Sequence, residues 1–428
     1  MKIAVIRVGM IPGKSNDAMK PLLFPIIESL TPLEHSLEFW DDRAENLPAV
    51  LDADVVALSV ETFAARRAYA LARQYKTHGN LVVMGGFHPS MEPQECAQHC
   101  DVVVVGDSED TWPRLLEDAK AGRAQPLYVS ENAAPLAGTL PQSRAFVGKR
   151  YLPLAMVQFS RGCKYHCDFC SVKAMYPGEV RQRPVAELAA EIGQIKERYM
   201  FFIDDNLFLD EESALALFAA IKPYCKRWAC QVSLDVAMNP RLLEAMASSG
   251  CFLVLMGFES LSQVSLVAMG KVANLRVGDY KKALENLRRF RLLVYGTFVL
   301  GYDGDTLATI QETVAFAKRH RMALANFNPL IPMPGTNLHR RLQAEKRLLH
   351  EKWWLEPGYR YGDTTFLPVG MTPEELEKGC WEARSAFYSW KSIWNRLWAN
   401  RRHLGLVFVA NWASRREIGR KQGRRLGE

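Results

Sequence analysis

Apolar positions in the first 120 residues gather in short runs, at Ile3–Val8, Val55–Val60, Leu81–Met84 and Val102–Val105. These runs are strand-length and rich in β-branched side chains. Between them apolar residues recur at helical spacing, most clearly over Ala64–Tyr75 and Asp110–Ala119. A strand that is apolar without alternation is covered on both faces, so the region predicts βαβ units and a doubly wound parallel α/β sheet. Ligands in such a sheet sit beyond the carboxyl ends of the strands. Those ends are marked by Ser59, by Gly85 and Gly86, and by Gly106 and Asp107.

The periodicity lapses over a Pro-, Ala- and Ser-rich stretch, which predicts a connector over 123–152. It resumes from 153. Strands are expected at Ala155–Phe159, Met200–Ile203, Ala229–Ser233, Phe252–Met256, Thr297–Leu300 and Leu324–Phe327. Helices are expected at Val185–Tyr199, Glu212–Tyr224, Arg241–Ser248, Tyr280–Arg291 and Thr306–Arg319. Strand–helix units in this number predict a partial (β/α)6, TIM-like barrel with its site at the carboxyl end of the strands. The division is therefore 1–122 Rossmann-like, 123–152 connector, 153–336 partial barrel and 337–428 a mostly helical C-terminal region with a basic, aromatic tail.

Composition narrows the class. A hydrophobic share of 48% and a charged share of 24% over 428 residues are those of a globular protein of two or three domains. No run approaches the roughly 18 apolar residues of a membrane span. The start reads as a strand rather than a signal peptide, so the expected location is the cytoplasm. The net charge of +7 is concentrated late: from Lys391 onward ten Lys or Arg face two Glu. No basic–aromatic strand platform for nucleic acid is present, so no nucleic-acid partner is expected.

Cys96, Cys100, Cys225, Cys230, Cys251 and Cys380 are scattered, as small buried apolar residues are. Cys163, Cys167 and Cys170 are not. They stand as C-x₃-C-x₂-C after the first strand of the second region. Three thiolates on one short loop can bind three irons of a [4Fe–4S] cube and leave the fourth iron open. A structural zinc site needs a fourth ligand; His166 lies inside the loop and no second C-x₂-C follows.

On these residues the chain resembles the radical S-adenosylmethionine (SAM) superfamily, and within it the subgroup with an N-terminal cobalamin-binding-type domain. The resemblance implies that Cys163, Cys167 and Cys170 hold the cluster and that Phe169 covers the adenine. It implies that Asp204, Asp205 and Asn206 stand where the methionyl amine is received, although an Asp-Asn turn replaces the usual glycine-rich one. Glu259, with Ser260, then matches the grip on the ribose hydroxyls. Val299 and Gly301 match the stretch passing the adenine, and Pro329–Thr336 the segment after the sixth strand. The implied chemistry is reductive cleavage of SAM to a radical that functionalises an unactivated carbon of a small-molecule or lipid-like substrate. An external one-electron donor such as flavodoxin or ferredoxin supplies the electron. Asp303-Gly-Asp305 lacks the remaining ligands of a calcium loop and reads as a turn followed by a helix cap.

The resemblance also implies cobalamin at Ser59, Gly85, Gly86 and Gly106, where small residues let a flat group approach the sheet. The D-x-H-x-x-G loop of many cobalamin proteins is missing: Gly9 to Ser15 contain no His, and His88 reads as a loop residue. Two outcomes follow. With cobalamin, the expected reaction is C-methylation; with an idle first domain, it is that of a radical oxidoreductase, cyclase or lyase. In the tail, Tyr388, Trp390, Trp394 and Trp398 are expected to pack over the barrel. The alternative is peripheral contact with a membrane interface.

Overall fold

The computed structural model describes residues 1–11, 15, 18–131, 134–136, 138, 143–178 and 180–420. Its first sheet holds β1 (Lys2–Arg7), β2 (Ser36–Asp41), β3 (Val55–Ser59), β4 (Leu81–Gly85), β5 (Val102–Val105) and β6 (Leu127–Val129). All neighbours are parallel, in the order β2-β1-β3-β4-β5-β6. The order reverses at β1, which opens a crevice beyond the carboxyl ends of β1 and β3.

The unbroken apolar runs are explained by two-sided burial. Ala4, Ile6, Val56, Leu58, Val82 and Met84 pack with Ala68, Ala72 and Tyr75 of helix Ala65–Lys76. The alternate positions Ile3, Val5, Val55, Ala57, Val83 and Val104 pack with Trp112, Leu115 and Leu116 of helix Ser108–Lys120. Two strands were not expected. β2 (SLEFWD) is a half-polar edge, and β6, which lies inside the expected connector, is three residues long with two of them exposed.

The second sheet is the expected partial barrel. It comprises β7 (Ala155–Val157), β10 (Tyr199–Phe202), β11 (Arg227–Val232), β12 (Cys251–Glu259), β13 (Leu293–Leu300) and β14 (Leu324–Pro329). These strands are parallel, with β7 and β14 at the two ends. Between β7 and β10 the strands β8 (Ser160–Arg161) and β9 (Arg181–Gln182) form a small antiparallel ribbon on either side of the cysteine loop. The helix expected to reach Tyr199 ends at Gln194. The 303–305 turn is followed, as expected, by a helix cap: Thr306 caps helix Leu307–Arg319 through a capping box with Thr309.

The C-terminal region ties both sheets together. Trp353 and Trp354 are buried in the core of the first domain, and the Trp354 indole donates to Glu95 at 3.0 Å. Helix Pro373–Phe387 lies on helix Leu307–Arg319 and β14. Arg396, only 1% exposed, donates to the carbonyls of Ala323 (2.8 Å) and Phe387 (2.9 Å). Among the described residues no helix is long and apolar enough to cross a membrane.

Candidate functional site

The cysteine loop is built by its ends. Gly162 adopts φ +98°, a left-handed turn open to glycine at little cost, and its amide donates to Asp205 at 2.9 Å. In the middle of the loop the Asp168 amide donates to Met269 (3.0 Å), and the Asp168 carbonyl accepts from Leu338 (3.0 Å). The Asp168 carboxylate accepts from the Tyr302 hydroxyl. Cys163, Cys167 and Cys170 are all partly exposed and free. Burial pushes the Cys167 thiol up to about 11 and raises Cys170 as well. At neutral pH such thiols ionise by exchanging the proton for a metal. Among the described residues no three His, Cys, Asp or Glu side chains close around a single-ion site. A cubane asks for one thiolate per iron, so this donor set fits a cluster.

The acidic turn after β10 braces this loop. Asp204 is 1% exposed and accepts from the Phe159 amide (3.1 Å), the Ser160 hydroxyl (2.6 Å) and the Ser160 amide. Asp205 holds Gly162, and Asn206 exchanges hydrogen bonds with Ser233 at 3.2 Å. All three predicted amine-receiving residues thus bind protein groups, and Asp204 in particular is a clamp on the strand leading into the cysteines. Burial pushes its carboxyl up to about 6.

Glu259 stands at the end of β12, where the register slips between Gly257 and Glu259. Its φ is +59°, an uncommon backbone for a non-glycine residue and a marker of a site held by its surroundings. The bulge aims the carboxylate at Lys271, whose ammonium donates at 2.6 Å. Asn274 fixes the bulge by donating to the carbonyls of Gly257 (3.0 Å) and Phe258 (2.8 Å). Gly257 makes room: a Cβ there would lie 2.0 Å from Glu259 Oε1 and 3.0 Å from Lys271 Nζ. Burial alone would lower the Lys271 ammonium, but Glu259 and the thiols of Cys167 and Cys170 hold it above its ordinary range. Lys271 also stands 5.8 Å from the centre of the Phe169 ring. Neither Lys271 nor Asn274 was marked by any period or spacing in the sequence.

Ser260 and Gly301 converge on one buried carboxylate. Asp305 accepts from the amides of Gly301 (3.0 Å) and Tyr302 (3.1 Å), and from the hydroxyls of Ser265 (3.1 Å) and Ser260 (3.4 Å). Gly301, at φ +98°, leaves no space for a side chain, since a Cβ would come within 2.4 Å of Leu376. Val299 and Phe169 line a cavity of about 400 Å³ between the barrel mouth and the first domain. The first domain contributes Thr62, Phe63 and Phe87 to it, and the barrel adds Asn328 and Pro329. Tyr361, bonded to Asn328 at 3.3 Å, also lines it.

The four residues expected at the first sheet do come together. Ser59, Gly85, Gly86 and Gly106 line one pocket of about 300 Å³ with apolar walls from Ile26, Ile27, Val83 and Trp112. Gly86 sits at φ +104°, with Val60 O 3.1 Å from where a Cβ would be. His88 is no loop residue: it is fully buried and bonded to Tyr69 (2.8 Å) and Glu95 (3.2 Å). Gly13 lies outside the described residues.

This pocket and the cysteine loop share a wall. Arg161, two residues before Cys163, pairs with Asp107 (2.9 Å) and Glu109 (3.1 Å). Arg181 also pairs with Asp107, and the Tyr176 hydroxyl donates to it at 2.9 Å. Burial alone would raise the Asp107 carboxyl; Arg161 and Arg181 hold it below its usual range. Arg161, Asp107 and Tyr176 all line the pocket. Sequence reading missed this network because its members lie 52 to 74 residues apart.

Known proteins resemble this chain in both domains. The model of the radical SAM superfamily matches residues 157–317, and that of the B12 binding domain matches residues 40–116. Bacteriochlorophyllide d C-12(1)-methyltransferase of Chlorobaculum tepidum is 27% identical over 90% of this chain and 86% of its own. The hopanoid C-2 methylase of Rhodopseudomonas palustris is 26% identical over 78% of this chain and 66% of its own. Among solved structures, the radical SAM methyltransferase TsrM of Kitasatospora setae, with cobalamin and a [4Fe–4S] cluster bound, has a TM-score of 0.63. It covers 88% of this chain and 81% of its own at 14% identity, and so shares the fold. The chain thus carries a B12 binding domain ahead of a domain of the radical SAM superfamily.

Proposed function

We propose that this protein is a cobalamin-dependent radical SAM methyltransferase acting on an unactivated carbon of a small, lipophilic molecule. The observation that carries this reading is the shared wall. The pocket formed by Ser59, Gly85, Gly86 and Gly106 is joined through Asp107 and Arg161 to the loop of Cys163, Cys167 and Cys170. An idle first domain has no need of a pocket fused to the cluster loop. The names of the relatives, methyltransferases of a bacteriochlorophyllide and of a hopanoid, support the same chemistry and an apolar substrate.

When bound, the cluster and SAM supply a carbon-centred radical and cobalamin supplies the methyl group; this chain's residues bind, orient and exclude water. Cys163, Cys167 and Cys170 would hold the cluster. Lys271, a partly buried cation near the thiols, would meet the cosubstrate carboxylate, and Glu259, aimed by its bulge, would take the ribose hydroxyls. Phe169 and Val299 would flank the adenine. Asp204 and Asp205 position the strand and glycine that lead into the loop, and Asn206 ties their turn to Ser233. The pocket under the first sheet, small and apolar, suits the flat nucleotide tail of a corrinoid, and the cavity ringed by Phe63, Phe87 and Tyr361 suits an apolar acceptor. Electrons come from an external one-electron donor of the flavodoxin or ferredoxin kind.

The test is anaerobic incubation of reconstituted protein with SAM, hydroxocobalamin, a reductant and extracted tetrapyrroles and membrane lipids. Equal amounts of 5′-deoxyadenosine and S-adenosylhomocysteine, with a methylated product, are expected. Product formation with 5′-deoxyadenosine alone would assign the protein to the radical oxidoreductases or lyases instead.

A further inference from the structure

Helices Trp390–Ala399 and Leu404–Arg420 are two-faced. Their inner faces pack Ile393, Leu397 and Val407 against Phe252, Leu293 and Ala323 of the barrel. Trp390, Trp394 and Trp398, expected from the sequence to cover the barrel, instead form an outward stripe at 43%, 55% and 76% exposure. The reason is helical phase: residues four apart share a face, and the apolar residues between them, Ile393 and Leu397, take the buried side. Leu404, Leu406, Phe408, Val409 and Trp412 are exposed on the second helix. Trp394 and Phe408 lie 6.4 Å apart, which merges the two stripes into one apolar face. Patches of this kind mark an interaction site rather than ordinary surface.

The face has a charge of one sign. From Trp390 to Arg416 there is no Asp or Glu. Lys391, Arg401, Arg402 and Arg416 are exposed around it. Arg415 stacks 5.2 Å from the Trp390 ring and Arg416 5.4 Å from the Trp412 ring, along a groove of about 450 Å³. Over the described residues neither helix is long and apolar enough to cross a bilayer. Exposed tryptophans beside arginines are the pattern of a helix that lies in the headgroup region of a membrane. A second copy of this chain is a poorer fit: a two-fold contact sets like surfaces together and would press these cations against each other.

We infer that this face docks on an anionic phospholipid bilayer, seating the enzyme where a lipophilic substrate resides. The surface stands whatever reaction the barrel performs. The test is flotation of the full chain, loaded with iron and sulfide without oxygen, on vesicles of phosphatidylcholine alone or mixed with phosphatidylglycerol. Binding to the mixed vesicles is expected, weakened by salt, with a blue shift of tryptophan emission. Arg401→Gln with Arg402→Gln should lower the partition about 25-fold, a factor of about 5 for each basic side chain at an anionic surface. Trp394→Ser with Trp398→Ser should weaken binding and shrink the emission shift, leaving only the part that Trp390 and Trp412 carry. All four sites are exposed, and quenching of the wild-type tryptophans by brominated lipid gives a readout that needs no variant. Failure to float on either vesicle, equal and salt-independent binding to both, or unchanged binding by the variants would overturn the inference. A concentration-dependent dimer lost in Trp398→Ser would do the same, by assigning the face to a second copy.

Discussion

Gly257→Ala perturbs the proposed SAM site without touching a charged side chain. The new Cβ would fall 2.0 Å from Glu259 Oε1, so the carboxylate must leave its position. It would also press on Lys271 Nζ at 3.0 Å and break the 2.6 Å Lys271–Glu259 hydrogen bond. Relief by backbone shift is restricted, because Asn274 bonds both neighbouring carbonyls and Glu259 is already at φ +59°. A hydrogen bond to a charged group is worth roughly 1.5–3 kcal/mol. Losing the carboxylate's hold on the ribose should therefore weaken SAM binding about 10- to 100-fold. The assay is equilibrium dialysis of SAM against reconstituted protein, with iron per chain as the control for an intact cluster. Gly358→Ala, where a Cβ meets nothing within 4 Å, should bind as wild type. If Gly257→Ala binds SAM within about twofold of wild type while holding its iron, the bulge does not serve cosubstrate binding.

Asp204, with its carboxyl pushed up to about 6, keeps in the folded state a proton that an unfolded Asp releases near pH 3.9. Its stability contribution therefore falls as pH rises through that window, by up to about 3 kcal/mol. Urea unfolding should show wild type losing ground to Asp204→Asn between about pH 4 and 6; parallel curves would contradict this. Asp107→Asn, which removes the carboxylate shared by Arg161, Arg181 and Tyr176, should cost roughly 3–5 kcal/mol at pH 7. Because the folded carboxyl lies below its usual range, that advantage should fade in wild type as pH drops below about 4, and an unchanged urea midpoint at pH 7 would refute the bracing role. Arg396→Met takes the guanidinium donor from the Phe387 carbonyl and leaves the Ala323 carbonyl with Asn411 alone, and should cost about 1–3 kcal/mol. Limited proteolysis should then release the chain after Tyr388 faster than in wild type.

What the sequence made legible was what is local. β3, β4 and β5 were visible because both faces of each are buried, which leaves an unbroken apolar run. β2 escaped because Ser36, Glu38 and Asp41 interrupt its pattern at a sheet edge, and β6 because three residues carry no period. The cysteine triplet is contiguous, and the glycines of the first sheet sit at strand ends, so both could be placed in advance. The pairs that build the site could not. Lys271 reaches Glu259 past the short helix Gln263–Ala268, Asp305 gathers Ser260 and Gly301, and Asp107 meets Arg161 across a domain boundary. None of these pairings leaves a trace in spacing. Asp204 shows a different limit: its position next to the site was legible, but burial decides that its oxygens serve Phe159 and Ser160. The tail shows a third, since the four-residue period of its tryptophans fixes a shared face but not which way that face turns.

The central claim is that the two domains act together, a cluster in the barrel with cobalamin held at the first sheet. The direct measurement is iron, sulfide and cobalt per chain after anaerobic reconstitution with hydroxocobalamin and desalting, in wild type and in the Cys163→Ala, Cys167→Ala, Cys170→Ala triple variant. About four irons and about one cobalt are expected in wild type, with iron lost from the triple variant. Iron retained by the triple variant, or a full cluster in wild type with no cobalt, would contradict the account.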